Sequence, residues 1–287
     1  MAETKTTVTA AAAKTTSSSS HQPKKSSNLL ALLAVPICLA IAILFYIFVL
    51  GNPANFQGGV VGGHPVEEGM GKWFGTVYMG GPVVPVLISI LLICLTFVIE
   101  RTLYLSKAKG KFSGAELVRK VQYHLANKNV DAALAECDKQ KGSVGNVVKA
   151  GLKKYKEMIT NTELDTDQKI LTIKNEIEET TALELPMMEK NLVFLSTIAS
   201  VATLVGLFGT VLGMIKAFSA MATGGAPDSA QLAGGISEAL INTALGIGTS
   251  AIAIIMYNYF TTNIDSITYA IDESGFTLTQ SFAANHK

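Results

Sequence analysis

The sequence predicts an all-α, polytopic membrane protein with about four transmembrane helices and a helical cytoplasmic domain. Three observations predict it. Apolar residues make up 49% of the 287 residues, and they are clustered. Lysine and arginine are distributed unevenly between the clusters. The long polar segment carries apolar residues at helical spacing.

Four uncharged apolar runs stand out: Leu29–Leu50, Val83–Ile99, Leu192–Ile215 and Ala239–Phe260. A helix needs roughly 20 such residues to cross the hydrocarbon core, and about 17 is the short end of that range. The run at Val83 is the short one. Low-complexity residues such as "TTVTAAAAKTTSSSS" precede the first run. That polar stretch, and the lack of an A-x-A site after the run, favour a retained span over a cleaved signal.

Charge sets the expected orientation. Residues 105–190 carry 15 Lys/Arg, the Gly51–Pro82 loop carries Lys72 alone, and the loop around Ala222–Gly235 carries none. Basic residues stay on the cytoplasmic side. The expected organisation is a disordered cytoplasmic N-terminus (1–27), an N-terminal span (28–50), a periplasmic loop (51–82), a second span (83–104) and a helical cytoplasmic domain (105–190). A third span (191–222), a periplasmic loop (223–235), a fourth span (236–262) and a cytoplasmic tail (263–287) follow. Glu100 and Arg101 form a charged pair at the cytoplasmic end of the second span, where long side chains reach the interface.

Within 105–190, "GAELVRKVQYHL" spaces Leu117, Val121 and Leu125 by four, as a helix does. Asn129 and Ser143 are candidate caps for the next two helices. "NTELDTD" breaks the pattern. "TDQKILTIKNEIEETTALELPMMEKNLVFL" then runs without glycine into the third span, with a kink expected at Pro186.

The third span places Ala199, Ala202, Thr203, Gly206, Gly209, Thr210 and Gly213 in steps of three and four. The fourth does the same with Ala239, Asn242, Thr243, Gly246, Thr249, Ser250 and Ala253. Small faces let helices approach closely in lipid, where packing and hydroxyl hydrogen bonds replace the hydrophobic drive. Gly206, Gly209, Gly213 and Gly246 are therefore packing candidates. Asn242 and Thr243 add polarity where alanine would pack as well. Glu238 sits at the mouth of the fourth span, about 7.5 Å of helix from Thr243, and an ionisable group near membrane depth is a functional candidate. No Asp, Glu or His lies at the centre of any run. A proton relay through this chain would take its titrating acid from another chain.

Other chemistries find little support. Cys38, Cys94 and Cys137 make no C-x-x-C pair, and His21, His64, His124 and His286 are scattered. Reduced thiols and no metal are expected. No catalytic nucleophile or phosphate loop accompanies the glycines. No enzyme activity, cofactor or nucleic-acid partner is expected. A solute transporter would show broken helices in paired repeats, and none is visible.

"LSTIASVATLVGLFGTVLGMIKAF" and "ISEALINTALGIGTSAIAIIMYNYF" resemble the two signature segments of the MotA/TolQ/ExbB proton-channel family, with ExbB the nearest branch. "GGPVVPVLISILLICLTFVIER" resembles the family's first span, and the likeness covers roughly Gly80 to Phe260. It implies a homopentamer in the bacterial inner membrane, with both termini cytoplasmic. The pentamer would surround a small ExbD- or TolR-like membrane protein that supplies an intramembrane aspartate. It implies coupling of proton motive force to a TonB-like protein and TonB-dependent transport, with a TolQ-like or MotA-like stator role as the alternative. The family's pore-facing threonines fall on Thr210 and Thr243, and its glutamate falls on Glu238. Thr203 and Ile252 stand where the family often has proline, which implies straighter helices. The span at Leu29–Leu50 is additional to the usual ExbB pattern.

Overall fold

The computed structural model describes residues 29–222 and 229–286. The expected disorder of 1–27 and residues 223–228 of the expected 223–235 loop lie outside these residues, while 229–235 are helical rather than loop. The described chain is 88% helical, with a single isolated β-bridge between Phe56 and Pro65. Helix α1 (Leu29–Phe45) continues as a π-helical turn, Tyr46–Leu50. Helices α2 (Gly69–Tyr78), α3 (Val84–Lys109), α4 (Gly114–Ala126), α5 (Val130–Gln140) and α6 (Gly142–Thr160) follow. Helices α7 (Thr166–Glu189), α8 (Leu192–Ala222) and α9 (Ser229–Asn285) complete the chain. Three segments are long and apolar enough to cross a membrane, built on α3, α8 and α9, and the α1 segment is a shorter apolar helix, Val35–Leu50.

Helix α1 lies against α3 through a narrow strip. Cys38 and Ala42 are buried there, and the Cys38 thiol meets the Thr96 hydroxyl at 4.0 Å. Its other faces stay exposed and apolar, with Ile37, Ile41, Leu44 and Phe48 turned outward. Such an all-round apolar helix is stable in lipid rather than in water. The last carbonyls of the π turn do not go unpaired. Asn55 Nδ2 donates to the Val49 and Leu50 carbonyls at 2.7 and 3.0 Å. The Tyr46 ring stacks on Tyr78 at 4.6 Å and its hydroxyl donates to the Tyr78 carbonyl. Residues 51–82 are therefore a folded cap carrying α2, where the sequence suggests a glycine-rich loop.

The polar helices α4–α7 form a bundle. Leu117, Val121 and Leu125 are buried, as their spacing predicts, against Val147, Leu152, Ile173 and Phe282. Asn129 caps α5 by accepting from the Ala132 amide at 3.0 Å. Ser143 does not cap α6. It is buried inside the helix, whose start is set by Lys141 and Gly142, both at positive φ. At Gly142 the space a side chain would need is filled by the Ala108 and Lys107 carbonyls. The "NTELDTD" break holds between α6 and α7, and Asp165 with Gln168 closes a capping box there.

Two expectations need correction. The rod entering the third span is not continuous, and Pro186 is not where it breaks. Pro186 stays inside α7, which stops at Glu189; the chain turns at Lys190–Asn191, with Asn191 at φ 69°. The residues assigned to a tail, 263–287, are instead the continuation of α9 as far as Asn285. Helix α9 has 57 residues, or roughly 85 Å at 1.5 Å per residue. Ile264, Ile267, Ile271, Leu278 and Phe282 lie on one face and are buried against the α4–α7 bundle. One helix thus joins the apolar half of the molecule to the polar bundle. Neither α8 nor α9 contains proline, and both run unbroken past Thr203 and Ile252.

Candidate ion path between the two long helices

The small-residue stripes of α8 and α9 face each other within one chain. Ala199, Ala202, Gly206, Gly209 and Gly213 are buried on α8, and Gly235, Ala239, Asn242, Gly246, Ser250 and Ala253 are buried on α9. Contact is backbone to backbone. A Cβ at Gly213 would lie 2.7 Å from the Ala239 nitrogen. One at Gly246 would lie 2.7 Å from the Ala202 carbonyl and 2.8 Å from Gly206 Cα. Ser250 donates across the seam to the Ala199 carbonyl at 2.5 Å. The four packing candidates thus share one intrachain seam.

Thr210 and Thr243 meet at the edge of that seam. Their hydroxyls are hydrogen-bonded to each other, and both residues are only half-buried. Each hydroxyl also lies 3.2 Å from a carbonyl of its own helix, Gly206 for Thr210 and Ala239 for Thr243; with one proton apiece, one threonine donates to the other and the second donates to its carbonyl. A hydroxyl donates one proton and accepts through two lone pairs. The pair therefore keeps spare acceptor capacity facing out of the seam. It is polar but holds no fixed charge, which suits a surface that must pass or solvate a charge without trapping it.

Glu238 and Asn242 turn another way, toward the start of α3. Asn242 is fully buried and donates to the Gly80 carbonyl at 2.9 Å. Its Oδ1 has no hydrogen-bond partner among the described residues. Glu238 is 5% exposed. Its carboxylate occupies the place where a Gly81 side chain would stand, and Gly81 has φ 73°. Only glycine meets both conditions comfortably. The amino end of α3 carries partial positive charge and suits a carboxylate. Lys216 Nζ completes the pairing at 2.8 Å from Glu238 Oε2. Glu238 thus makes no hydrogen bond to Thr210 or Thr243 among the described residues. The structure brings the two threonines together and sets the glutamate in an adjoining, enclosed site.

Lys216 escapes the sequence reading, because the third apolar run was cut at Ile215. The signal is nevertheless present. A lysine six residues before the end of α8 stands about 9 Å of helix inside its terminus, where a cation needs a partner. Glu238 is the acid within reach.

Glu100 and Arg101 lie at the far end of α3. Arg101 is 2% exposed and does not extend to a surface. It grips Glu100 through two bonds, at 2.7 and 2.6 Å, and donates to the Met188 carbonyl at 3.2 Å. Asn191 Nδ2 donates to the same glutamate at 3.3 Å. The pair therefore fastens the turn between α7 and α8, a structural task away from the threonines.

Comparison with known proteins bears on this site directly. The model of the MotA/TolQ/ExbB proton channel family matches residues 139–273, from the end of α5 into α9, so α8 and the seam-forming part of α9 fall within it. The Tol-Pal system protein TolQ of Pseudomonas aeruginosa is 34% identical over 117 residues, covering 41% of this chain and 51% of that protein. The biopolymer transport protein ExbB of Salmonella typhimurium is 40% identical over 73 residues, 25% of this chain and 30% of that protein. A putative ExbB-like protein of Synechocystis is 36% identical over 86 residues, 29% of this chain and 41% of that protein. The chain spans about half or less of the length of each of these relatives. The α1–α4 segment lies outside the family match.

Proposed function

Because the chain belongs to the MotA/TolQ/ExbB proton channel family, we propose that it is an ExbB-like subunit of a proton-driven motor of the bacterial inner membrane. In this reading several copies, five by family likeness, surround a small ExbD- or TolR-like membrane protein. That partner supplies the titrating aspartate. Its movement energises a TonB-like protein and transport across the outer membrane. The lysine asymmetry between residues 105–190 and 51–82 supports cytoplasmic termini and a cytoplasmic α4–α7 bundle.

The observation that carries the proposal is the hydroxyl pair Thr210–Thr243 on a close-packed seam, with no acid hydrogen-bonded to it among the described residues. Hydroxyls also serve packing in lipid, but these two sit half-buried at the open edge of the seam with acceptor capacity unspent. Hydroxyls there can orient water beside a partner's carboxylate and accept from its protonated form. The long α9 supplies the mechanical half. Any rotation or tilt imposed on the seam is carried into the polar bundle by one unbroken helix. The match to TolQ, longer but less identical than that to ExbB, is equally consistent with a second reading: a Tol-type motor that serves the cell envelope.

The test is reconstitution. The chain is purified with a small ExbD- or TolR-like membrane protein and placed in vesicles under an imposed potential. Proton entry that depends on the partner's intramembrane aspartate is expected. A complex that assembles and passes no protons under any imposed gradient contradicts the proposal. Deleting the gene then separates the two readings, since loss of outer-membrane uptake marks the first and a leaky envelope the second.

A further inference from the structure

Helices α3 and α9 leave the apolar half of the molecule side by side, and a groove of about 260 Å³ opens between them there. Thr102, Ser106 and Lys109 line it from α3, in steps of four and three that set them on one face. Asn263 lines it from α9, and the buried Leu105 and Phe260 form its apolar wall. Thr102 stands roughly 27 Å of helix from Val84, close to the ~30 Å thickness of the hydrocarbon core. The groove therefore begins where the hydrocarbon ends. Lys109 lies about 10 Å farther along, with a stem long enough to reach back toward that boundary. The same two faces continue into the lipid-facing surface. Leu95 and Ile99 on α3, and Ile252 and Ile255 on α9, are exposed one or two turns before Thr102 and Tyr259. The surface thus runs from apolar to hydroxyl, amide and ammonium in the order in which a phospholipid runs from chain to headgroup.

We propose that this groove binds an anionic phospholipid, with its phosphate against Lys109 and Ser106 and its chains on the exposed apolar faces of α3 and α9. Lys109 has no ion pair and the Ser106 hydroxyl no hydrogen bond among the described residues. Asn263 spends one amide proton on the Tyr259 carbonyl, at 2.8 Å, and keeps the other. The groove therefore offers a cation and two neutral donors. Its backbone is fixed beforehand: Gln140, fully buried, donates to the Lys109 carbonyl at 3.0 Å and ties down the end of α3. Beyond Lys109 an adjoining groove runs on past Ser113 and Tyr269 to Glu273, the one carboxylate that lines either groove. A zwitterionic headgroup would bring its own cation to the ammonium, so an anionic one fits better. The geometry does not depend on the proton path. Only the leaflet does on the proposed orientation: with the α4–α7 bundle in the cytoplasm, the lipid belongs to the inner leaflet. An occupied groove would hold α3 against α9 at the level where both leave the membrane.

Photolabelling tests this without any assay of transport. The full chain is placed in phosphatidylcholine vesicles that carry a trace of phosphatidylglycerol with a diazirine beside its glycerol. After illumination the adducts are mapped by peptide mass spectrometry. A phosphatidylcholine with the same diazirine is the control lipid. Adducts of the anionic lipid should gather on residues 102–109 and 259–267. Lys109→Gln should lower their yield about fivefold, the factor that one basic residue brings near an anionic surface. Lys109→Arg should keep the yield, and Ser106→Glu, which sets an acid in the groove, should remove most of it. Both side chains are exposed, so these variants should fold. Lys107→Gln, on another face of α3 and outside the groove, should label like the natural chain. Equal labelling by the two lipids overturns the inference, as do adducts spread evenly over α1 and α8. Loss of the adducts on adding inorganic phosphate would make this a site for free phosphate and reject the lipid. Crosslinks between two copies of the chain at these residues, with no lipid adduct, would show that a second copy fills the groove and would equally reject it. Proton entry is read separately, so labelling in the groove by a complex that passes no protons would retain the lipid site and reject the proton path.

Discussion

Gly246→Leu is expected to abolish the folded chain rather than merely its assembly. A Cβ at this position already meets the Ala202 carbonyl at 2.7 Å and Gly206 Cα at 2.8 Å. Both are backbone atoms of α8 and cannot swing aside. Overpacking usually costs ~1–3 kcal/mol and more where nothing yields; here the helices must separate, so the upper end applies. Separation would also unmake the Ser250 bond to the Ala199 carbonyl and part the two threonines. Even Gly246→Ala should be felt. Thermal unfolding in mild detergent should show a large loss of stability and low yield from membranes. A Leu variant whose protomer melts like the natural chain, and which only dissociates into single subunits, would place this seam between chains instead of within one.

Arg101→Met should release the joint between α7 and α8. The arginine binds Glu100 twice, donates to the Met188 carbonyl and lies 4.8 Å from the centre of the Tyr104 ring. Glu100 is 38% exposed, so water solvates its charge once the partner is gone, and a full buried-charge penalty does not apply. What is lost is the charged bond to a buried carbonyl and the fixed turn, about 2–3 kcal/mol together. Arg101→Lys should recover little, since an ammonium cannot span the carboxylate and the carbonyl in one plane. Hydrogen exchange at residues 188–194 reads the effect. Exchange there should quicken in both variants while α4–α6 stay protected. Unchanged exchange in Arg101→Met would show that the turn stands without its clamp.

Much of the apolar half was legible because lipid imposes simple rules on a sequence. Runs of about 20 apolar residues name the spans, and the three-and-four steps of Ala199 to Gly213 and of Ala239 to Ala253 name their packing faces. What those steps cannot name is the partner of each face. A stripe of small residues fits another copy as readily as another helix of the same chain, and only the fold pairs α8 with α9. Arg101 shows the same limit. A charged pair ending a span reads as an interfacial anchor, yet its role comes from Met188, far along the chain. The turn at Asn191 was missed because proline is the stronger local signal, while an asparagine, which tolerates φ 69° better than most residues, is a weaker mark of a helix end. The reach of α9 was missed for another reason. Ile264, Ile267, Ile271, Leu278 and Phe282 keep a helical period, but Asp265, Asp272 and Glu273 between them give the segment the look of a polar tail. Of the candidate site, the threonines and the glutamate were visible. Their separation into an open hydroxyl pair and an enclosed ion pair was not, because it depends on Gly80 and Gly81 arriving from α3.

The proton path itself is tested most directly by replacing both hydroxyls at once. Valine keeps the shape of threonine and removes its capacity to donate and accept. In the natural chain each hydroxyl also lies 3.2 Å from a carbonyl of its own helix, and those carbonyls keep their helical amide partners in the variant, so the seam should survive. Thr210→Val with Thr243→Val, assembled with the small membrane protein and placed in vesicles under an imposed potential, should be present at natural levels and melt within a few degrees of the natural complex. Its proton entry should fall by at least about tenfold, the equivalent of one interaction of ~1.4 kcal/mol lost from the rate-limiting step. Proton entry at the natural rate in that double variant would contradict the account and leave the two threonines as packing residues only.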